Sequence, residues 1–191
     1  MPPDAFLRGL NSILPDDIGV TKAVEVPSDF HARYSATGKT YCYTLWNAKE
    51  KDPFMGRYSW QVPMPFSLER MNRFCKCLVG THDFVAFSSA GRSVEDTVRT
   101  LSVCQAERKG ETVVLTVTGN GFLYNMVRII VGSAVEAAKG REFPLDEIFR
   151  TGQRDLLGLT APAKGLCLQQ VHYPDDPFGE TDIKRSNHAE I

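Results

Sequence analysis

The segment from Tyr124 to Lys139 constrains the fold of this chain more than any other part of the sequence. Its apolar residues recur every three or four positions, which is the period of an α-helix with one buried side. These residues are Met126, Val127, Ile130, Val131, Ala134, Val135 and Ala138. Gly140 follows, as glycine often does after the last helical turn. Such a wide stripe predicts a helix packed against a sheet or other helices.

Alternating apolar and polar residues predict that a sheet is also present. Residues 98–107 and 112–118 are predicted to form a hairpin that turns at residues 108–110. Its buried face would carry Val113, Leu115 and Val117. Further strands are predicted over residues 20–26, 39–47 and 166–173.

Three further helices are predicted, over residues 4–13, 67–79 and 144–151. Pro15 would stop the first, Ser67 would cap the second and Gly80 would end it. Residues 49–65 lack a clear period, so we expect an ordered loop there. Because helices and strands do not alternate regularly, we predict an α+β fold. Its sheet would be largely antiparallel or mixed, with helices packed on one face.

The composition excludes several classes of protein. The net charge of −1 gives no bulk attraction to nucleic acid, so any RNA contact would need a local basic patch. The five cysteines are odd in number and form no CxxC pair, and the four histidines are scattered, so we expect neither disulfides nor a metal site. No apolar stretch approaches the length of a membrane span, and we expect a cytoplasmic protein.

Basic and aromatic residues interleave in Phe30–Tyr43, FHARYSATGKTYCY. Such a mixture suits a nucleic acid, because cations meet phosphates while rings stack on bases. It equally suits an ordinary strand with a basic solvent face, and the residues alone favour that second interpretation.

A second cluster, residues 119–132, places Arg128 among apolar neighbours. A buried guanidinium requires a carboxylate or phosphate partner, whereas at an exposed helix edge its stem would simply cover apolar surface. The third cluster, residues 163–168, contains Gly165, which would permit a close backbone approach at the entry of a strand.

Six segments in this order resemble the TruA family of tRNA pseudouridine synthases, and they span roughly residues 5 to 173. The segments are LNSILPDDIGV, FHARYSATGKTYCY, LVGTHDF, TVRT, GFLYNMVRIIVG and AKGLCL. The resemblance implies a pseudouridine synthase-like fold and the isomerisation of uridine to pseudouridine in the tRNA anticodon arm, without a cofactor. It also implies a catalytic aspartate that attacks the nucleotide.

The same resemblance assigns roles to residues of this sequence. Tyr41 matches the tyrosine that lies against the target base, with Tyr43 as the alternative. Arg128 matches the arginine that pairs with the aspartate and holds it ionised. Both are expected to be catalytic.

Substrate contacts follow by the same matching. Leu166 matches the apolar residue of the uracil pocket, although a plain core leucine fits its position nearly as well. Arg33 and Lys39 are expected to contact phosphates. The implied partner is tRNA, and the family implies a homodimer.

The aspartate of this family belongs to a G-R-[T/S]-D-x-G-V-H motif that these 191 residues lack. Residues 91–96 match it partially, but their acidic residues fall too late, so we reject Asp96 as the nucleophile. We therefore expect a truncated, inactive synthase. Residues 1–36 would be a remnant of the first half-domain, 37–173 the complete second half and 174–191 a poorly ordered tail.

Two other classes remain open at this point. A non-catalytic RNA-binding module would use Arg33, Lys39 and Tyr41 but would not depend on Arg128. A purely structural α+β domain would use none of them, and salt-dependent tRNA binding would argue against it.

Overall fold

The computed structural model describes residues 1–89 and 95–179. These fall into two compact units, Thr37–Val171 and a smaller one that combines Met1–Ala36 with the residues from His172 onward. The predicted assignment of residues 1–36 to a first half-domain stays a prediction. In the described ranges no helix is long and apolar enough to cross a membrane.

The fold is α+β with a mixed sheet, as predicted, and the described residues contribute six strands to that sheet. The strands are β1 (Gly38–Trp46), β2 (Trp60–Gln61), β3 (Gly80–Asp83), β4 (Val98–Lys109), β5 (Thr112–Gly119) and β6 (Leu166–His172). Their order is β2-β1-β5-β4-β3, and β6 also pairs with β1. The β1–β2 pair is parallel, whereas β1–β5, β5–β4 and β4–β3 are antiparallel. The predicted hairpin is therefore confirmed as β4 and β5.

Four α-helices accompany this sheet in the described residues. They are α1 (Pro3–Asn11), α2 (Leu68–Lys76), α3 (Met126–Ala138) and α4 (Leu145–Thr151). The α3 helix is confirmed, and it is buried on nearly every side because Ile129, Gly132 and Ser133 are enclosed along with the predicted stripe. Tyr43 and Leu45 of β1 and the three predicted apolar residues of β5 complete this core.

The helix at Ser67 is shorter than predicted. The Ser67 hydroxyl accepts a hydrogen bond from the Arg70 amide at 3.2 Å, which confirms the cap. However, α2 ends at Lys76, and Gly80, with a φ of 117°, turns the chain into β3, which was not predicted. Four residues paired only with β4 carry too short a pattern to be identified from sequence.

Two other expectations need correction. Residues 20–26 form no strand. Instead, the Asn11 side chain bonds both the amide and the carbonyl of Val20, each at 2.8 Å. A strand requires a backbone ladder to a neighbouring strand, and none of the described strands pairs with residues 20–26. The loop of residues 49–65 contains a 3-10 turn, Met55–Arg57, and the short strand β2.

The predicted tail is only partly described. Residues 174–179 lie in the smaller unit, where the Lys22 ammonium donates to the Phe178 carbonyl at 2.6 Å. Residues 180–191 lie outside the described residues, as does most of the partial motif, residues 91–94.

Candidate active site

Tyr41, Arg128 and Leu166 line a single cleft of about 330 Å³. Tyr41 comes from β1, Leu166 is the first residue of β6, and Arg128 lies in the first turn of α3. The segment 122–127, which enters α3, forms the remaining wall. The structure thus brings together three of the five residues that the sequence predicts for the site.

Position within β1 separates Tyr41 from its alternative, Tyr43. Both lie on the same face of the strand, since they are two residues apart. Tyr43 is fully buried, and its hydroxyl donates to the Pro162 carbonyl at 2.6 Å. Tyr41 is only partly buried and packs edge-to-face on Phe122, with ring centroids 5.1 Å apart. Tyr41 is therefore the phenol that a ligand in the cleft can reach.

Arg128 is partly buried and held in one orientation. Its Nε donates to the Ala161 carbonyl at 2.7 Å, and one terminal nitrogen donates to the Asn125 side-chain oxygen at 2.8 Å. The described residues thus accept two of the five hydrogen bonds that a guanidinium can donate. None of the described carboxylates forms an ion pair with it. The remaining donors are available to an anionic group.

Asn125 is a site residue that the sequence analysis missed. It has a φ of 63°, the only positive value at a non-glycine position among the described residues. Its side chain accepts from Arg128 and donates to the Ser89 hydroxyl at 3.0 Å. Asparagine tolerates the left-handed region better than most residues, so an asparagine directly before a helix was the available signal.

Gly165 positions Leu166 at the cleft. A Cβ atom on Gly165 would lie 2.6 Å from Cε1 of Tyr43 and 2.8 Å from the Thr44 carbonyl oxygen. Only glycine lets the chain approach β1 this closely before β6 begins, which confirms the close approach predicted there. Leu166 is partly buried, so one side remains accessible from the cleft.

The two predicted phosphate contacts do not line this cleft. Lys39 is partly buried near the start of β1, opposite Gly119. Arg33 belongs to the smaller unit, where its guanidinium lies 5.7 Å from the centre of the Tyr34 ring. Their role stays a prediction.

Asp96, rejected as a nucleophile, is 77% exposed at its side chain and pairs with Arg99 at 3.7 Å. It also accepts a hydrogen bond from the Val98 amide at 2.9 Å. Among the described residues, no group of three or more histidine, cysteine or acidic side chains could hold a metal ion.

Burial raises the pKa of the Tyr41 phenol. It also raises the pKa of Tyr43, while the positive charge of Arg128 lowers that pKa by a smaller amount. Both side chains are therefore neutral phenols at physiological pH. In this state Tyr41 can stack on a base and donate a hydrogen bond.

Replacing Tyr43 by phenylalanine is expected to lower the free energy of unfolding by about 1–3 kcal/mol at neutral pH, because the Pro162 carbonyl loses its donor. The unfolded phenol has a pKa of about 10, and the folded value is higher. The raised pKa of the Tyr43 phenol therefore stabilises the folded protein fully below pH 10, and this stabilisation is lost as the pH rises further. The Tyr43→Phe variant has no phenol at this position and lacks this pH-dependent loss. Urea unfolding of the wild type and the variant, at neutral pH and above pH 10, measures both effects.

Tyr41→Phe is the matched control, since its hydroxyl has no hydrogen bond within the described residues. It should change the neutral-pH stability by less than about 0.5 kcal/mol. Equal losses for the two variants would contradict the assignment of Tyr43 to the core.

Comparison with known proteins identifies the class. A family model described as tRNA pseudouridine synthase matches residues 74–174. The chain is 41% identical over 175 residues to tRNA pseudouridine synthase A 2 of Clostridium perfringens, covering 91% of this chain and 72% of that protein. It is 43% identical over 175 residues to tRNA pseudouridine synthase A of Geobacillus kaustophilus, covering 91% and 68%.

The matches define an RNA-modifying enzyme family. The chain belongs to the TruA family of tRNA pseudouridine synthases.

Proposed function

We propose that this chain provides the tyrosine and arginine side of an active site that converts uridine to pseudouridine in the anticodon arm of tRNA. The observation that carries the proposal is the convergence of Tyr41, Arg128 and Leu166 on one cleft. Relatives named tRNA pseudouridine synthase A support the reaction and the substrate.

The geometry suits an extruded uracil. Enzymes that act on a base take it out of the stack and hold it between aromatic and apolar side chains. Here the ring of Tyr41 and the side chain of Leu166 offer such surfaces. The reaction breaks the bond from ribose C1′ to N1, forms one from C1′ to C5, releases the C5 proton and adds a proton to N1. It is an isomerisation without net oxidation or reduction, and we propose that it uses no cofactor.

Arg128 is proposed to orient a catalytic carboxylate. Its two hydrogen bonds to Ala161 and Asn125 fix the guanidinium, and the other donors can form a charge-assisted pair with an aspartate. Such a pair keeps the carboxylate ionised and therefore nucleophilic.

The 191-residue polypeptide tested by itself is expected to release no tritium above background from tRNA that carries 5-tritiated uridine. The reason is that no described carboxylate pairs with Arg128. A polypeptide in which the same residues follow the family's aspartate motif is expected to release it. Release by the first polypeptide would show that another group is the nucleophile, and no release by the second would contradict the proposed function.

A non-catalytic RNA-binding module is the second candidate, favoured because no described carboxylate forms an ion pair with Arg128 and could act as the nucleophile there. It would bind tRNA through Arg33, Lys39 and Tyr41 with equal affinity in the wild type and an Arg128→Ala variant. We also propose a homodimer and a cytoplasmic location. The cytoplasmic location is supported by the five cysteines, which are all free thiols, because thiols stay reduced in the cytosol.

A further inference from the structure

Residues 49–58, which we name the aromatic loop, expose two rings to solvent. Phe54 is 89% exposed and Tyr58 is 67% exposed. Single exposed apolar side chains are common, but two large exposed rings on one short loop indicate an interaction site.

The exposure does not come from a loosely held backbone. The Asp52 carboxylate accepts the amides of Phe54 and Met55, at 2.7 and 3.0 Å. The buried Ser59 hydroxyl donates to the Met55 carbonyl at 2.7 Å. The Gln61 amide contacts the carbonyls of residues 48–50 at 3.1–3.2 Å. These polar side chains fix the loop in a conformation that keeps its rings outside the core.

The charges around the rings are mostly positive. Lys49, Lys51 and Arg57 are exposed, and none of them forms an ion pair in the part of the chain that the structure describes. Of the two acidic residues, Glu50 is exposed, whereas the Asp52 carboxylate is occupied by backbone amides.

The aromatic loop is tied to the wall of the cleft. The Lys164 ammonium donates to the Gly56 carbonyl at 2.8 Å. Two residues later, Leu166 lines the cleft. A strand that leaves the cleft on the side of Lys164 would therefore pass along this loop.

We propose that the aromatic loop binds unpaired bases of the RNA that flank the nucleotide in the cleft, with Phe54 and Tyr58 stacking on them. This inference rests on the proposed function. A loop that carries both rings and cations suits the bases and phosphates of a single strand. A protein partner matches less well, because interfaces between proteins are depleted in lysine.

The test measures binding of a fluorescently labelled anticodon stem-loop RNA to the 191-residue chain by anisotropy. The double variant Phe54→Ala, Tyr58→Ala is expected to bind about tenfold more weakly or worse, since each stacked base contributes substantially. Met64→Ala removes a side chain outside the loop that is 52% exposed but has no ring, and it should bind like the wild type.

Salt dependence separates stacking from charge. The double variant should keep the wild-type slope of log affinity against log salt, because it loses no phosphate contact. Arg57→Gln should reduce the magnitude of that slope by about one, which corresponds to the loss of one phosphate contact. A competitor duplex RNA without unpaired bases should show no difference between wild type and double variant.

Three results would overturn the proposal. Wild-type affinity in the double variant would show that the rings do not contact RNA. A wild-type dimer that the double variant converts to a monomer of unchanged RNA affinity, seen by sedimentation, would assign the loop to contacts between copies. If the wild type itself shows no salt-dependent RNA binding, this proposal fails, whereas tritium release by the polypeptide that carries the aspartate motif decides the proposed function separately.

Discussion

Replacing Gly132 by alanine is expected to lower the free energy of unfolding by about 3 kcal/mol or more. A Cβ atom at this position of α3 would lie 1.8 Å from the carbonyl oxygen of Leu159 and 2.9 Å from its carbonyl carbon. Because both atoms belong to backbone, no side-chain rotation can relieve the clash.

The clash would displace a segment that hydrogen bonds fix to α3. The Gly158 amide donates to the buried Ser133 hydroxyl at 3.0 Å, and the Ala161 amide donates to the Arg128 carbonyl at 3.1 Å. Moving residues 158–161 away from the helix would weaken both bonds. It would also withdraw the Ala161 carbonyl from the Arg128 side chain.

Gly9→Ala is the matched control for this prediction. Gly9 also lies inside a helix, α1, but an added Cβ atom there would meet nothing within 4 Å. Helix propensity then predicts a gain of about 0.5–1 kcal/mol. Urea unfolding measures both variants, and a Gly132→Ala protein as stable as the wild type would show that the segment does not lie against α3.

Replacing Arg128 by alanine is expected to reduce tritium release by about 100-fold or more, in the polypeptide that carries the family's aspartate motif. Removing one fixed donor from a site of developing charge has effects of this size in other enzymes. The loss should appear in the rate at saturating tRNA, because the arginine acts on the carboxylate rather than on RNA affinity.

Arg154→Ala provides a control that separates catalysis from stability. Arg154 is also partly buried, and it donates to the Gly158 carbonyl at 2.8 Å and the Thr160 hydroxyl at 3.2 Å. Both arginines thus anchor the same segment, and each variant should lose about 1–2 kcal/mol of stability. Of these two arginines, only Arg128 lines the cleft. Equal losses of tritium release in both variants would reduce Arg128 to a structural role.

Elements with a long repeating pattern were predictable from sequence. The α3 helix and the β4–β5 hairpin carry many apolar residues at one period, and the structure has both. The strand predicted over residues 20–26 and the missed β3 have short patterns. Whether such segments become strands depends on a neighbour supplied by the rest of the fold.

The site was only partly predictable. The residues alone left both Tyr41 and Arg128 with ordinary explanations, and only the resemblance to a family singled them out. Asn125 was missed because its importance depends on a left-handed backbone and on contacts with Arg128 and Ser89, none of which has a period. The aromatic loop was expected to be ordered, but the exposure of Phe54 was not foreseeable from the sequence.

The anchoring of Arg128 to Ala161 and Asn125 has an energetic consequence for ligand binding. A free arginine side chain has about 2 kcal/mol of rotamer entropy, which is lost when the side chain binds an anion. Here that freedom is removed during folding. An incoming carboxylate therefore meets a preorganised receptor, and little reorganisation remains for the encounter itself.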